Sequence, residues 1–241
     1  MRYTRHDLKQ DKFKATTAEA VHWTVEHQGN FLIGGIILAI VVILGAGGWW
    51  YFSYRASTAQ TELGNAMVTY AAPVVPPGID IPPTMTTFTS DQQRLITAKN
   101  AFYAISSKYG STTPGKYAHY FAALCEVDLG NNAVAIDQLK SVAASGNKDV
   151  AALANFALAS VYRNQGQDGD ATKIYQDLIA KPTATVPKAT AQLELADLLT
   201  ATRPAEALRL YQQISKDDPK SAAADIAGQK IASLQQPAPA K

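Results

Sequence analysis

One cysteine, Cys125, stands in 241 residues, so no intramolecular disulfide can form. Four histidines at 6, 22, 27 and 119 are too scattered to give a Cys/His zinc ligand set. His22 and Glu26 share an i, i+4 spacing, but two ligands do not hold a metal. No metal, cofactor or redox chemistry is therefore expected. Charge of either sign is also in short supply: 22 Lys+Arg against 20 Asp+Glu leave a net charge of +2, too little to make nucleic acid the expected partner. No nucleophile motif, glycine-rich phosphate loop or converging carboxylate pair is present, so no catalytic residue is named and an enzyme is not expected. Glycine (15) and proline (12) are sparse and clustered, whereas alanine occurs 41 times, a composition that favours close-packed helices over sheets. The expected fold class is all-α.

What is abundant is apolar sequence in one place. Phe31 to Phe52 (FLIGGIILAIVVILGAGGWWYF) holds no charge over 22 residues. As a helix rising ~1.5 Å per residue it would span ~33 Å, enough for the hydrocarbon core of a bilayer. Trp49, Trp50, Tyr51 and Tyr54 crowd its C-terminal end, where amphipathic rings prefer the headgroup level, and Arg55 closes it. A cleaved signal peptide would have a shorter leader, a shorter apolar core and small residues at the cut site, so residues 31–52 are expected to be an uncleaved membrane anchor in contact with lipid. Arg2, Arg5, Lys9, Lys12 and Lys14 precede the span, and Arg55 is the only Lys or Arg between Phe52 and Arg94. This bias predicts a cytoplasmic N-terminus and, in a bacterium, a periplasmic C-terminal domain anchored in the inner membrane. Gly35 and Ala39 form one small-xxx-small pair, a face through which two copies of the chain can associate, so a homo-oligomer is among the expected partners. The leader, residues 1–30, carries Leu8, Phe13, Val21, Trp23 and Val25 among alternating charges and is expected to form one or two short helices. Asp7, Asp11, Glu19 and Glu26 nearly cancel its lysines, which argues for a solvated face over a polybasic lipid switch.

Beyond the span the chain repeats. Ala98, Ala135, Ala171 and Ala207 are separated by 37, 36 and 36 residues. Four residues after each comes a bulky side chain, Phe102, Leu139, Tyr175 and Tyr211, and three further on another, Ile105, Val142, Leu178 and Ile214. One helical face thus recurs four times. Turn signals follow at Gly110 with Pro114, Gly146 with Asn147, Pro182 and Pro219. A partner helix precedes three of these faces, ending at Gly130, Gly166 and Pro204, each with a small residue for close helix approach: Ala123, Ala159 and Ala196. A first partner helix is read at Ser57 to Tyr70, followed by a stretch with five prolines in twelve residues from Pro73, an extended, semi-stiff loop expected to pack across the repeat surface. Residues 221–235 read as a helix that caps the last repeat, and QPAPAK as a disordered tail.

Small and aromatic residues on paired helices, with Gly between them and Pro after, resemble the tetratricopeptide repeat family, whose helix-turn-helix unit is near 34 residues. The stretch ALANFALASVYRNQGQDGDATKIYQDLIAKP carries the resemblance best, through Leu158, Ala159, Tyr162, Gly166, Ala171, Tyr175, Leu178 and Pro182. Elsewhere the pattern departs: Glu126 stands where the family usually has Tyr, and the Ala196 to Ala207 interval is one residue shorter than Ala159 to Ala171. The resemblance implies a concave, protein-binding groove lined by the first helix of each pair. Carried over to this chain, its residues are Tyr117, Tyr120, Leu124 and Asp128, then Phe156, Ser160, Arg163 and Asn164, then Leu193, Asp197 and Thr200. Tyr120 and Phe156 are the expected aromatic anchors. Cys125, one position past Leu124, reads as a small buried hydrophobe.

Taken together, the leader WTVEHQGNFLIGG, the exit GWWYFSYR and the repeats from Ala98 resemble the YfgM-type proteins, ancillary subunits of the bacterial Sec translocon. That resemblance implies a membrane-tethered accessory whose partners are translocon subunits, a periplasmic chaperone or secreted chains. The alternatives are a tethered scaffold of another envelope machine, for division or outer-membrane assembly, and a stress-signalling regulator. The expected organisation is a leader (1–30), a membrane helix (31–52), a first repeat helix with its Pro-rich loop (53–90), repeats with a capping helix (91–234) and a tail (235–241).

Overall fold

The computed structural model describes residues 28–76 and 85–235, with side chains from Ile36 onward. The helices expected in the leader, the His22 and Glu26 pair, the middle of the Pro-rich loop and the tail QPAPAK lie outside these residues. The described residues form nine α-helices, and the sequence expectation of an all-α repeat solenoid holds. They are α1 (Gln28–Tyr70), α2 (Asp91–Tyr109), α3 (Thr113–Asp128), α4 (Asn132–Ala143), α5 (Lys148–Asn164), α6 (Asp168–Ala180), α7 (Lys188–Leu199), α8 (Pro204–Asp217) and α9 (Ala222–Gln235).

Contacts divide the chain into two compact units, residues 1–54 and 55–241. In the first, Ile36 to Leu44 and Trp49 to Tyr54 expose large apolar side chains on every side of the helix, Trp49 at 75% of its full area. Among the described residues α1 is the one helix long and apolar enough to cross a membrane, with a mean hydropathy of 2.0 over its most apolar window. The sequence separates a membrane helix from a repeat helix beginning at Ser57, but α1 runs unbroken through both. No proline lies between Gln28 and Tyr70 to break the backbone ladder, and Ala59, Leu63 and Ala66, one turn apart, are buried against the repeat core and hold the helix beyond the span.

In the second unit α1 (from Arg55), α3, α5 and α7 are the first helices of four pairs, and α2, α4, α6 and α8 the second. Ala98, Ala135, Ala171 and Ala207, the residues that set the repeat, are all fully buried, as are Phe102, Leu139, Tyr175 and Tyr211 four residues on. Their partners Ala123, Ala159 and Ala196 are equally inaccessible. Alanine at each crossing lets two backbones close on one another, and the bulky side chain one turn later fills the space beside it. Cys125 is buried as expected, and burial, with the nearby Asp128 and Glu126 carboxylates, pushes its thiol up to about 12.

Local chemistry sets the helix ends. Ser90 caps α2 by accepting from Gln93 N, Thr112 caps α3 through Gly115 N, and Asn147 Oδ1 caps α5 through Asp149 N and Val150 N. Gly130, Gly146 and Gly166 adopt φ of 79°, 75° and 73°, the left-handed geometry that ends α3, α4 and α5. The shorter interval before Ala207 has its explanation here. The α7–α8 turn contains no glycine; Arg203 N bonds the Leu199 carbonyl at 2.7 Å, and Pro204 opens α8 with a backbone already preset for a helix. The Pro-rich segment returns beside itself at its two described ends, where Val74 and Phe88 form an isolated parallel bridge. Helix α9 packs on α8 and α7.

Candidate protein-binding groove

The eleven residues expected in the groove lie on α3, α5 and α7 or, for Thr200, at the end of α7. Asp128 and Asn164 are exposed and the other nine half-buried; none is sealed in the core. Tyr117 and Tyr120 pack against the α3–α5 core, Tyr120 in edge contact with Phe121 at 5.3 Å between ring centroids. Burial pushes the Tyr120 phenol above its ordinary range. Phe156 lies edge-on to Tyr175 at 5.8 Å, and the Ser160 hydroxyl donates to the Phe156 carbonyl while lying 3.2 Å from the Tyr175 hydroxyl. The two expected anchors therefore present rings whose positions the core already fixes, a condition for binding with little loss of entropy.

Several of the expected residues are engaged within the chain. Asp128 accepts a hydrogen bond from the Tyr70 hydroxyl at 3.0 Å and so ties α3 to α1. Arg163 pairs with Glu194 at 2.7 Å, joining α5 to α7. Asp197 accepts from Lys230 Nζ at 2.7 Å and from the Tyr211 hydroxyl. Burial pushes the Asp197 carboxyl up, but those two hydrogen bonds and the Lys230 and Arg163 charges outweigh it and hold the group below the usual carboxylate range. Burial pushes the Tyr211 phenol up to about 12, with the Asp197 carboxylate adding to the effect. Thr200 donates to the Ala196 carbonyl, and Leu193 packs against the C-terminal core.

Three of the expected residues, Arg163, Asp197 and Thr200, come together in one pocket of about 430 Å³, completed by Tyr211, Lys230, Ser233 and Leu234. Tyr117, Tyr120, Leu124, Asp128 and Phe156 lie outside it, nearer the start of the stack. Lys230, Ser233 and Leu234 were not legible as site residues because they belong to the capping helix, which the repeat pattern treats as a lid rather than a wall. A basic residue on the buried side of a terminal helix was the available signal, since a half-buried ammonium needs a carboxylate opposite it.

The tetratricopeptide repeat-like domain family matches residues 22–176. No curated protein matches the chain. Among solved structures the chain is similar to the nearly identical TPR-like repeats of a Podosopora anserina kinesin light chain, with 17% identity over 59% of this chain and 79% of that one and a TM-score of 0.49. The family match takes in well over half of the sequence, including α2 to α5 and the alanine crossings at 98, 123, 135 and 159. The chain belongs to the tetratricopeptide repeat-like domain family.

Proposed function

We propose that this protein is a single-pass membrane adaptor whose repeat groove binds an extended segment of a protein partner outside the cytoplasm. The observation that carries this reading is that Tyr117, Tyr120 and Leu124, then Phe156, Ser160 and Leu193, are half-buried on successive first helices, with Tyr117, Tyr120, Phe156 and Leu193 packed against the core. The bare apolar surface of Ile36 to Leu44 supports lipid anchoring, since water tolerates no helix that is apolar all round. The excess of Lys and Arg before the span supports an N-terminus inside and a repeat domain in the periplasm. Within that reading the partner class is a translocon subunit, a periplasmic chaperone or a secreted chain, and the protein is an accessory of the Sec translocon.

Two measurements test it. A phosphatase that folds only in the periplasm is expected to be active when fused after Lys241 and inactive when fused ahead of Phe31; the reverse pattern overturns the topology. Replacing Tyr120 and Phe156 together by Ala in the full chain is expected to remove crosslinks to the partner at a temperature where circular dichroism still shows native helix content. If the double variant keeps its partner while deletion of Pro73 to Pro83 loses it, the loop is the binding element and the groove assignment falls.

A further inference from the structure

Between first and second helices the solenoid carries clefts that recur with the repeat while their chemistry changes. The α2–α3–α4 cleft, about 520 Å³, is lined by Lys116, His119, Gln138, Ser141 and Ser145. Thirty-six residues on, the same positions are Ala152, Asn155, Ile174, Asp177 and Lys181, and they line the α5–α6 cleft of about 510 Å³. Another 36 residues on, the first and last positions are Lys188 and Asp217, and these two form an ion pair at 3.0 Å. The third copy thus answers its lysine with a carboxylate from the chain itself.

The first copy has the lysine without the carboxylate. Ser145 stands where Asp217 stands in the third, and among the described residues no Asp or Glu lines the cleft. Apart from Val142, every side chain lining that space carries a hydrogen-bond donor. Lys116 supplies an ammonium group, and Gln138, whose Oε1 accepts from His119 Nε2, retains its amide hydrogens. The Ser145 hydroxyl is buried with no hydrogen-bond partner, a group that a ligand oxygen would satisfy. The second cleft differs: Ala151, Ala152, Ile174 and Leu178 give it an apolar floor, with Asp177 and Lys181 among its polar lining residues.

We infer that these two clefts form a second docking face, on which a partner polypeptide places a carboxylate side chain against Lys116 and Ser145 and an apolar side chain in the cleft one repeat further on. Charge complementarity selects the carboxylate, and the shared 36-residue register selects a partner that spans both clefts. The face shares no residue with the groove and goes beyond the function proposed for it.

The test uses the full chain in lipid nanodiscs and a series of end-capped, fluorescently labelled peptides carrying one Glu and one Leu separated by two to six Gly/Ser residues, read by anisotropy. At least one spacing is expected to bind, and exchanging its Glu for Gln or its Leu for Gly is expected to weaken it tenfold or more. Ser145→Asp, which installs the carboxylate of the third copy, is expected to close the cleft and lower affinity tenfold or more, with Lys116→Gln having the same direction. The Tyr120→Ala, Phe156→Ala double variant is expected to bind these peptides as the parent does, which separates this face from the groove. The inference is overturned if no spacing binds below 1 mM, if the Gln peptide binds equally, or if both Ser145→Asp and Lys116→Gln keep parental affinity. Competition by inorganic phosphate at concentrations where acetate has no effect would reassign the cleft to phosphate and overturn the carboxylate assignment.

Discussion

Phe102→Ala is expected to unfold the first helix pairs of the solenoid while leaving the last ones protected. Phe102 is fully buried on α2, stacks on Phe121 of α3 at 5.5 Å and meets Tyr70 of α1 at 6.1 Å, so one ring joins three helices. Truncating such a ring removes its burial and leaves a cavity, a combined cost of about 3–5 kcal/mol. In a linear stack each repeat touches only its neighbours, so the loss is concentrated where the contact was. Hydrogen exchange on the full chain checks both halves of the expectation. Amides of α2 and α3 should exchange orders of magnitude faster than in the parent, because about 1.4 kcal/mol corresponds to tenfold, while those of α7 and α8 should change little. Uniform loss of protection from α2 to α8 would show that the stack melts as one unit.

The parts of this architecture that were legible in the sequence are those set by residues with little choice. An alanine at a helix crossing cannot be enlarged without pushing backbones apart, so Ala98, Ala135, Ala171 and Ala207 recur at nearly constant spacing, and all are inaccessible in the structure. Glu126 was visible as a misfit, and its reason lies in three neighbours: Lys99 Nζ at 3.2 Å, Asn131 Nδ2 at 2.7 Å and the Tyr103 hydroxyl at 3.3 Å. Lys99 and Tyr103 sit on the preceding second helix, too far along the chain for a short-range pattern to pair them with Glu126. The same separation hid the link from Lys230 to Asp197, which bridges 33 residues and turns the capping helix into one wall of the pocket it closes. It also hid the clefts between first and second helices. There the sequence repeats in position but not in residue type, and only the packing of α2, α3 and α4 shows that Lys116 and Ser145 face a common space.

Among the described glycines the tightest steric constraint falls on Gly115, and its replacement gives the second large effect. A methyl group added at Gly115 would lie 2.0 Å from the Tyr109 carbonyl oxygen, 2.4 Å from its carbon and 3.0 Å from Gly110 N. All three atoms are backbone, so no side-chain rotation relieves the overlap. The turn itself cannot give way cheaply, because the same Tyr109 carbonyl accepts hydrogen bonds from Thr112 N at 2.8 Å and Thr112 Oγ1 at 2.7 Å. The Thr112 hydroxyl in turn caps α3 by accepting from Gly115 N. Moving Gly115 away from Tyr109 therefore breaks the cap that starts α3, adding about 1 kcal/mol to an overpacking cost of about 1–3 kcal/mol. Gly115→Ala is expected to lower the stability of the full chain by about 2–4 kcal/mol in a urea titration, with the change confined to the midpoint. Gly228→Ala is the matched control: a methyl there meets nothing within 4 Å on helix α9, so the better helix former should stabilise by up to about 1 kcal/mol. Opposite signs for the two substitutions are the expected result; a stabilising Gly115→Ala would mean that the α2–α3 turn is looser than its hydrogen bonds indicate.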